Sequence, residues 1–294
     1  MIKQIRANIN NKHRLEYLIT EFNESFMIKL EDYNIDSTEN LGAEIENKIN
    51  ELEPIKDLFI DYISLILQSD LCVDDIIGDF FENVYNSFSN HEEYEEQYAF
   101  ILWEMFLIST AYLIRFERFK ELHEILSRVY FLRTNSYSQT RKFSFAEFRP
   151  YMKNYESFKK QNSDRNLITF KGELLLSRAK KPIATKENLV IADILLCQLS
   201  YIVSPNISNR IHWFPISYIY AYKNSGNIYF EFCNKFSSKK FCNKILPLFG
   251  VSNITELKEC LEKNKVPSQI NYQSAWDSCP SITNYIKIEE IALY

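Results

Sequence analysis

The chain has 294 residues, of which 46% are hydrophobic and 15% aromatic, and this suffices for a substantial core in one large or two smaller domains. Its five glycines and the absence of G-x-G-x-x-G and G-x4-G-K-[ST] motifs argue against glycine-rich nucleotide-binding folds. The net charge of −5 is unevenly distributed. Residues 1–96 carry 7 cationic and 22 acidic side chains, whereas residues 115–186 carry 17 cationic and 7 acidic ones.

The sequence indicates a cytoplasmic protein. Its N-terminal residues contain no apolar segment followed by a small-residue cleavage site, so we expect no secretory signal. None of the six cysteines belongs to a C-x-x-C pair, which favours reduced thiols over a zinc site or a redox motif. We expect neither a metal nor a cofactor. The abundance of Asn, Ile and Lys is typical of an AT-rich genome and suggests a bacterial source.

The acidic part of the chain predicts amphipathic helices. In residues 10–33 hydrophobic side chains recur every three or four positions, as on one face of a helix. Thr38 is placed to cap a second helix, and Pro54 suits the first turn of a third. Asp74 or Asp75 begins a fourth helix. A polar, acidic stretch then separates these helices from the most apolar part of the sequence.

The longest apolar run lies between Gln97 and Arg133, and its spacing predicts one long helix, or two with a slight bend. This helix would complete an acidic helical bundle over residues 1–135. The alternative is a membrane span, because Tyr98–Ile114 is strongly apolar. That stretch has only 17 residues and contains Glu104, whose charge is costly in a bilayer. We therefore interpret it as a buried core helix and expect no membrane span.

Residues 136–294 are predicted to be a helical region with a small β-structure. Two short runs, Ile216–Tyr222 and Ile228–Phe232, are rich in aromatic and β-branched residues, and a turn sequence containing Gly226 separates them. This pattern predicts a β-hairpin near 216–232. The fold class is therefore mainly α, with a multi-helix bundle followed by a small α+β C-terminal part.

Other signals in this half mark loops and helix boundaries. Residues 134–142 are expected to form a polar loop, and residues 145–158 a helix that tolerates Pro150 near its start. Thr185 is placed to begin an apolar helix. Asn253 is followed by a glutamate at the spacing of a capping box, which predicts a further helix.

Arg118 and His123 form the pattern Arg-x4-His in the long predicted helix. This pattern resembles the signature of the HEPN ribonucleases, in which an arginine and a histidine on a helix of a helical bundle form a composite site, usually across a dimer. The resemblance implies metal-independent RNA cleavage, with His123 as general base toward the ribose 2′-hydroxyl and Arg118 stabilising the phosphate. The alternative is that both side chains pair with neighbouring glutamates on a solvated helix face.

The basic segment of residues 115–186 suggests a different kind of site. It combines cations, which neutralise phosphates, with aromatic rings, which stack on bases, as expected for a surface that binds single-stranded RNA or DNA. The alternative is that the rings belong to the core and the charges are solvated or paired with the acidic part of the chain. The cations assigned to this candidate site are Arg128, Arg133, Arg141, Lys142, Arg149, Lys159 and Lys160.

Two polar residues lie in apolar surroundings. Asp193 is part of a strongly apolar run, and a buried carboxylate requires a partner, for which Tyr201, Arg178 or a backbone N–H are the candidates. His212 precedes Trp213, which is typical of a histidine in the core or at its boundary.

Three functions remain open from the sequence. The first is a non-catalytic interaction protein, such as an accessory or regulatory subunit, with a protein partner or a second copy of the chain. It is favoured by the lack of a strong catalytic motif and by the polarised charge. The second is a HEPN-like ribonuclease that acts as a toxin or antiviral effector. The third is a module that binds single-stranded nucleic acid without catalysis.

Overall fold

The fold is mainly α-helical, as predicted, with short two-stranded sheets. The expected cap Thr38 and the expected turn residue Gly226 lie outside the described residues. The computed structural model describes residues 1–35, 39–88, 96–134, 139–165, 167–203, 211–225, 228–267, 270–272, 275–277, 282–284 and 286–294.

The regular elements in these ranges are numbered in chain order. The α-helices are α1 (Ile2–Ala7), α2 (Lys12–Glu31), α3 (Leu41–Glu51), α4 (Glu53–Ile66), α5 (Val73–Phe88), α6 (Glu96–Arg115), α7 (Phe119–Ser127), α8 (Lys153–Gln161), α9 (Phe170–Ser177), α10 (Lys186–Ile202), α11 (Ile216–Ser225), α12 (Ile228–Asn234), α13 (Lys239–Ile245) and α14 (Ile254–Lys263). The strands are β1 (Tyr130–Thr134), β2 (Gln139–Phe143), β3 (Ile270–Tyr272) and β4 (Ala275–Asp277).

The chain forms two compact units, and three segments contribute to each. Unit 1 consists of Met1–Tyr112, Tyr130–Lys142 and Phe148–Arg165, and unit 2 of Leu113–Val129, Phe143–Glu147 and Asn166–Tyr294. This division differs from the single boundary expected at residue 135, because Tyr130–Lys142 and Phe148–Arg165 return to unit 1.

The core of unit 1 is built from the hydrophobic faces that the sequence pattern predicts. Phe22 of α2 stacks on Tyr62 of α4 with ring centroids 4.1 Å apart, and Phe80 of α5 lies 5.1 Å from Phe59. The periodic residues of α2 are all buried, which confirms the predicted face: Leu15, Leu18, Ile19, Phe22, Phe26 and Leu30.

Helix α6 is a core helix of this unit for most of its length. Among the described residues it is the one helix long and apolar enough to cross a membrane, but 89% of its most apolar stretch is buried within the protein. Glu104 is 1% exposed and lies 3.8 Å from the equally buried ammonium of Lys56, which also contacts Glu53 at 2.7 Å. Burial with a paired charge is the expected arrangement for a core carboxylate.

Of the two alternatives expected between Gln97 and Arg133, one long helix is wrong; two helices lie there, with a sharp break instead of a slight bend, and the second does not reach Arg133. Helix α6 ends at Arg115, Glu117 adopts a φ of 55°, and α7 then runs from Phe119 only to Ser127. A non-glycine residue with positive φ cannot continue a right-handed helix, so the chain changes direction there. The apolar spacing continues through the break because α7 also buries one face.

The β-hairpin expected near 216–232 is also wrong. Ile216–Ser225 is helix α11, and Ile228–Asn234 is helix α12. Residues 216–219 are all buried. A segment buried on every side is apolar throughout, so its sequence lacks the alternation of apolar and polar residues that would distinguish a strand from a buried helix. Two-stranded sheets occur elsewhere: β1 pairs with β2, where a loop was expected, and β3 pairs antiparallel with β4.

Helix termini follow the predicted caps in some places. Thr185 accepts a hydrogen bond from the N–H of Asn188 at the start of α10, and Asn253 accepts one from Glu256 at the start of α14. The helix expected over residues 145–158 is interrupted at Pro150, which lacks an N–H and disfavours a helical residue before it.

Helix α8, which follows this interruption, takes its cap from a distant residue. Met152 precedes the helix and provides no side-chain acceptor. The carboxylate of Glu96 accepts the N–H of Asn154 at 2.8 Å and that of Tyr155 at 2.9 Å. Glu96 therefore satisfies two of the N–H groups that a helix N-terminus leaves without a partner.

We expect Glu96→Ala to lower the free energy of unfolding of the protein by about 1–3 kcal/mol, because it leaves these N–H groups without an acceptor. Hydrogen exchange at Asn154 and Tyr155 should accelerate in the same variant. The control is Glu16→Ala on the exposed face of α2, which should change stability by less than about 0.5 kcal/mol. Unchanged exchange at both amides would contradict the capping role.

Candidate nucleic-acid interface

The β1–β2 hairpin of unit 1 presents one buried and one exposed face. Tyr130 and Leu132 are fully buried, whereas Phe131 is 48% exposed and Arg133 is exposed. This alternation is the period of a strand, in which successive side chains point to opposite faces. Phe131 and Arg133 consequently lie side by side on the solvent-facing surface of β1.

Helix α5 holds the outer edge of β1 through side chains. The N–H of Phe131 donates to the carboxylate of Glu82 at 2.8 Å. The amide of Asn86 donates to the carbonyl of Phe131 at 3.0 Å and accepts the N–H of Arg133 at 2.8 Å. Residues four apart on a helix share a face, so Glu82 and Asn86 together replace the neighbouring strand that this edge lacks.

The second strand contributes two cations to the hairpin. Arg141 and Lys142 are both exposed, and residues 130–143 contain no Asp or Glu. Among the side chains that the structure describes, none forms an ion pair with Arg133, Arg141 or Lys142. Three cations and an exposed aromatic ring therefore belong to one short element of the protein.

The remaining cations of the predicted set have different surroundings. In unit 1, Lys159 forms an ion pair with Glu46 at 2.8 Å, Lys160 is exposed, and Arg149 is half-buried. Arg128 is half-buried and belongs to unit 2. The pairing of Lys159 matches the alternative in which some basic residues contact the acidic part of the chain.

The aromatic residues of the basic segment also divide into two groups. Tyr130 and Tyr155 are buried, and the Tyr130 ring lies 4.8 Å from that of Phe148 in the core of unit 1. Tyr151 is 66% exposed and Phe131 is 48% exposed. Phe131 was not part of the predicted set, although the alternation in Tyr-Phe-Leu-Arg is a signal that could have identified it.

Arg118 and His123 each contact residues of unit 2. Arg118 directly precedes α7, and its Nε lies 2.6 Å from a carboxylate oxygen of Glu121. His123 lies on α7 with Nδ1 3.1 Å from the carbonyl oxygen of Leu248 and Nε2 3.3 Å from the hydroxyl of Ser127. Because a carbonyl only accepts, Nδ1 carries the proton, and in the neutral ring Nε2 accepts from Ser127.

Close packing surrounds the His123 ring. Gly250 ends the 3-10 helix Leu246–Phe249 with a φ of 66°, and a Cβ added there would lie 2.7 Å from a ring carbon of His123. This glycine is therefore required both by its backbone conformation and by the imidazole beside it. The His123 contacts attach α7 to the segment around Leu248. The ribonuclease assignment of Arg118 and His123 stays a prediction.

The carboxyl group of Asp193, on α10, is fully buried. Its Oδ1 accepts the indole N–H of Trp213 at 2.6 Å, and its Oδ2 accepts both the N–H and the hydroxyl of Ser217 at 2.7 Å. Of the expected alternatives, a backbone N–H is thus a partner. Burial raises the pKa of Asp193 to about 6, and these hydrogen bonds oppose the rise.

His212, the histidine beside Trp213, is also part of the packing in unit 2. Its ring stacks on Tyr201 with centroids 3.8 Å apart, and its Nδ1 lies 3.1 Å from the carbonyl oxygen of Ser200. The hydroxyl of Ser200 accepts the N–H of Trp213 at 3.1 Å. These contacts explain why a polar residue is accommodated here.

Among the described residues, Cys72, Asp74 and Asp75 form a group with the spacing of metal ligands. The group lies at the N-terminal end of α5, where the helix dipole disfavours a cation. Hydrogen bonding to Asp75 and the charge of Asp74 raise the pKa of the Cys72 thiol, which reduces its thiolate fraction. The five cysteines that the structure describes form no disulfide.

Comparison with protein-family models, curated proteins and solved structures found no match to this chain.

We expect His123→Ala to lower the free energy of unfolding by about 1–2 kcal/mol, because the carbonyl of Leu248 loses its donor and a packed ring is removed. Chemical denaturation measures the change. His13→Ala is the control, since His13 is 97% exposed. RNA cleavage that is lost in folded His123→Ala protein and kept in His13→Ala would support the ribonuclease hypothesis, and unchanged stability would contradict the packing role.

The stability contribution of Asp193 should depend on pH. Its carboxyl binds a proton more tightly in the folded protein than in the unfolded chain, so stability falls as pH rises from about 4 to about 6. The expected loss is about 3 kcal/mol relative to Asp193→Asn, which has no titrating group at this position. Urea unfolding of both proteins from pH 4 to pH 7 measures the difference and cancels other titrations. Parallel profiles would contradict the expectation.

Proposed function

We propose that this protein binds single-stranded nucleic acid through the exposed face of the β1–β2 hairpin. The observation that carries the proposal is the exposed ring of Phe131 on an element that also holds the exposed cations Arg133, Arg141 and Lys142. Among the described side chains none pairs ionically with these cations, and residues 130–143 contain no acidic residue. Proteins that bind a single strand without a sequence preference usually combine a cationic groove or strip with aromatic rings on which the bases stack.

The spacing of Phe131 and Arg133 supports this assignment. Two residues on the same face of a strand are about 7 Å apart along it. A base stacked on the Phe131 ring would leave a neighbouring phosphate within reach of the Arg133 guanidinium. This planar group can donate several hydrogen bonds to phosphate oxygens. Arg141 and Lys142 are consecutive on the second strand, so their side chains point to opposite sides of it, and one of the two would share the face of Phe131 and extend the electrostatic contact along the backbone of the ligand.

The attachment of β1 to α5 supports the proposal in a second way. The hydrogen bonds from Glu82 and Asn86 fix the backbone at Phe131 and Arg133, the two positions whose side chains would contact the ligand. Groups that are held in place before binding lose less conformational entropy on binding. The same contacts cover the backbone donors and acceptors of the edge, so the side chains and not the backbone would bind the ligand.

The two other functional hypotheses receive less support from the geometry. Both nitrogens of His123 and the Nε of Arg118 already have partners within the chain, whereas a general base requires an accessible nitrogen. The interaction-protein hypothesis stays a prediction. A nucleic-acid-binding module is compatible with an accessory role beside a protein partner.

The proposal predicts salt-dependent binding of a fluorescein-labelled oligouridine, measured by fluorescence anisotropy between 50 and 200 mM salt. Replacing Arg133, Arg141 and Lys142 by Ala should reduce the slope of log Kd against log salt concentration by about 1.4, because Arg133 and one of the two consecutive cations of β2 share the binding face and each phosphate contact on a single strand contributes about 0.7. Phe131→Ala should weaken binding roughly tenfold at every salt concentration and leave the slope unchanged, since stacking is not ionic.

A matched control removes the same charge elsewhere. Lys239, Lys240 and Lys263 are exposed cations of unit 2, and their replacement by Ala should leave both affinity and slope near those of the unaltered protein. Equal losses in the two triple variants would show that net charge alone drives binding. No binding at the lowest salt concentration would overturn the proposed function.

A further inference from the structure

A small, mostly apolar cavity, about half open to solvent, lies in unit 1 against α1, α2 and α4. Its volume is about 330 Å³, at the lower end of the range for ligand pockets. Phe22 and Phe26 of α2 and Leu58 of α4 line it, and Met1 and Ile2 lie on the side of α1. The lining surface is mostly apolar, so the cavity is suited to a hydrocarbon chain rather than to a polar metabolite.

The cavity walls belong to a well-packed part of the core. Phe22 stacks on Tyr62 with ring centroids 4.1 Å apart, and the ring of Phe26 lies 5.2 Å from that of Phe80. Both phenylalanines are almost fully buried. Side chains fixed in this way do not collapse readily into the cavity, so its space is available to a ligand.

Two lysines lie on the lining of this cavity. Lys3 of α1 and Lys29 of α2 are exposed, and among the described residues neither forms an ion pair. Within the part of the chain that the structure describes, no acidic residue lines the cavity, although residues 1–96 contain 22 acidic and only 7 cationic side chains. Two of these few cations therefore border an apolar cavity in the most acidic part of the chain.

We propose that this cavity binds a free medium-chain fatty acid. The tail lies against Phe22, Phe26 and Leu58, and the carboxylate contacts the ammonium groups of Lys3 and Lys29. A half-open apolar cavity with two lysines in its lining complements both ends of such an amphiphile, and the small volume selects a medium chain over a long one. The site is separate from the hairpin proposed to bind nucleic acid, and neither proposal depends on the other.

Isothermal titration calorimetry of the full chain with hexanoate, octanoate and decanoate tests the proposal. We expect affinity to increase by about fourfold per added methylene until the cavity is filled, because each buried methylene adds apolar transfer free energy. The double variant Lys3→Ala/Lys29→Ala should weaken octanoate binding by tenfold or more. The same variant should bind the uncharged analogue 1-octanol as the unaltered protein does.

Two further variants separate the ion contact from general effects. Lys12→Ala/Lys160→Ala removes the same charge from exposed positions of unit 1 outside the lining and should bind octanoate normally. Ser25→Phe, at a half-buried lining position, should fill the cavity and abolish binding of both octanoate and 1-octanol, with folding checked by circular dichroism. Absence of octanoate binding at millimolar concentration, or equal effects of the two lysine pairs, would overturn the proposal.

Discussion

In both units, the start of a helix depends on hydrogen bonds from its N–H groups to a carboxylate on another helix. Glu96 at the start of α6 accepts two N–H groups of α8, and Asp193 within α10 accepts the N–H of Ser217 at the start of α11. The residues before these helices, Met152 and Pro215, have no side-chain acceptor. A negative charge at a helix N-terminus satisfies unpaired donors and interacts favourably with the helix dipole. Each contact therefore fixes where a later helix begins relative to an earlier one.

The same type of contact, from side chain to backbone, determines the candidate interface. A two-stranded hairpin is marginally stable by itself and exposes unpaired backbone groups at its edges. Glu82 and Asn86 occupy those groups on β1, and Tyr130 packs against Phe148 beneath the strand. With one face and one edge held by the protein, the outer face of β1 is left to carry Phe131 and Arg133.

Several polar residues that the sequence places within predicted helices hold the fold together. His123 joins α7 to the carbonyl of Leu248, Asp193 anchors α11, and Glu104 pairs with Lys56 in the core. Polar groups buried in this manner require partners, and a satisfied network specifies one arrangement of the surrounding helices. Arg133, Arg141 and Lys142 differ from them because they are exposed.

The sequence by itself determined the helical class and much of the core. The three- and four-residue spacing in α2 identified its buried face, and Thr185 and Asn253 marked the starts of α10 and α14. These features depend on residues within a few positions of one another, so they are readable from the local pattern. For the candidate interface, the same local information gave the cations but not the ring of Phe131.

Only the tertiary structure decided the features that depend on distant residues. The segment from Ile216 is a helix because packing buries residues 216–219 consecutively and Asp193 caps it, although its composition favours a strand. The hairpin from Tyr130 forms because α5 supplies acceptors and a donor 45 to 49 residues away. Sequence periodicity records which residues are buried, but it does not record which distant side chain satisfies a backbone group, and that satisfaction selects the conformation here.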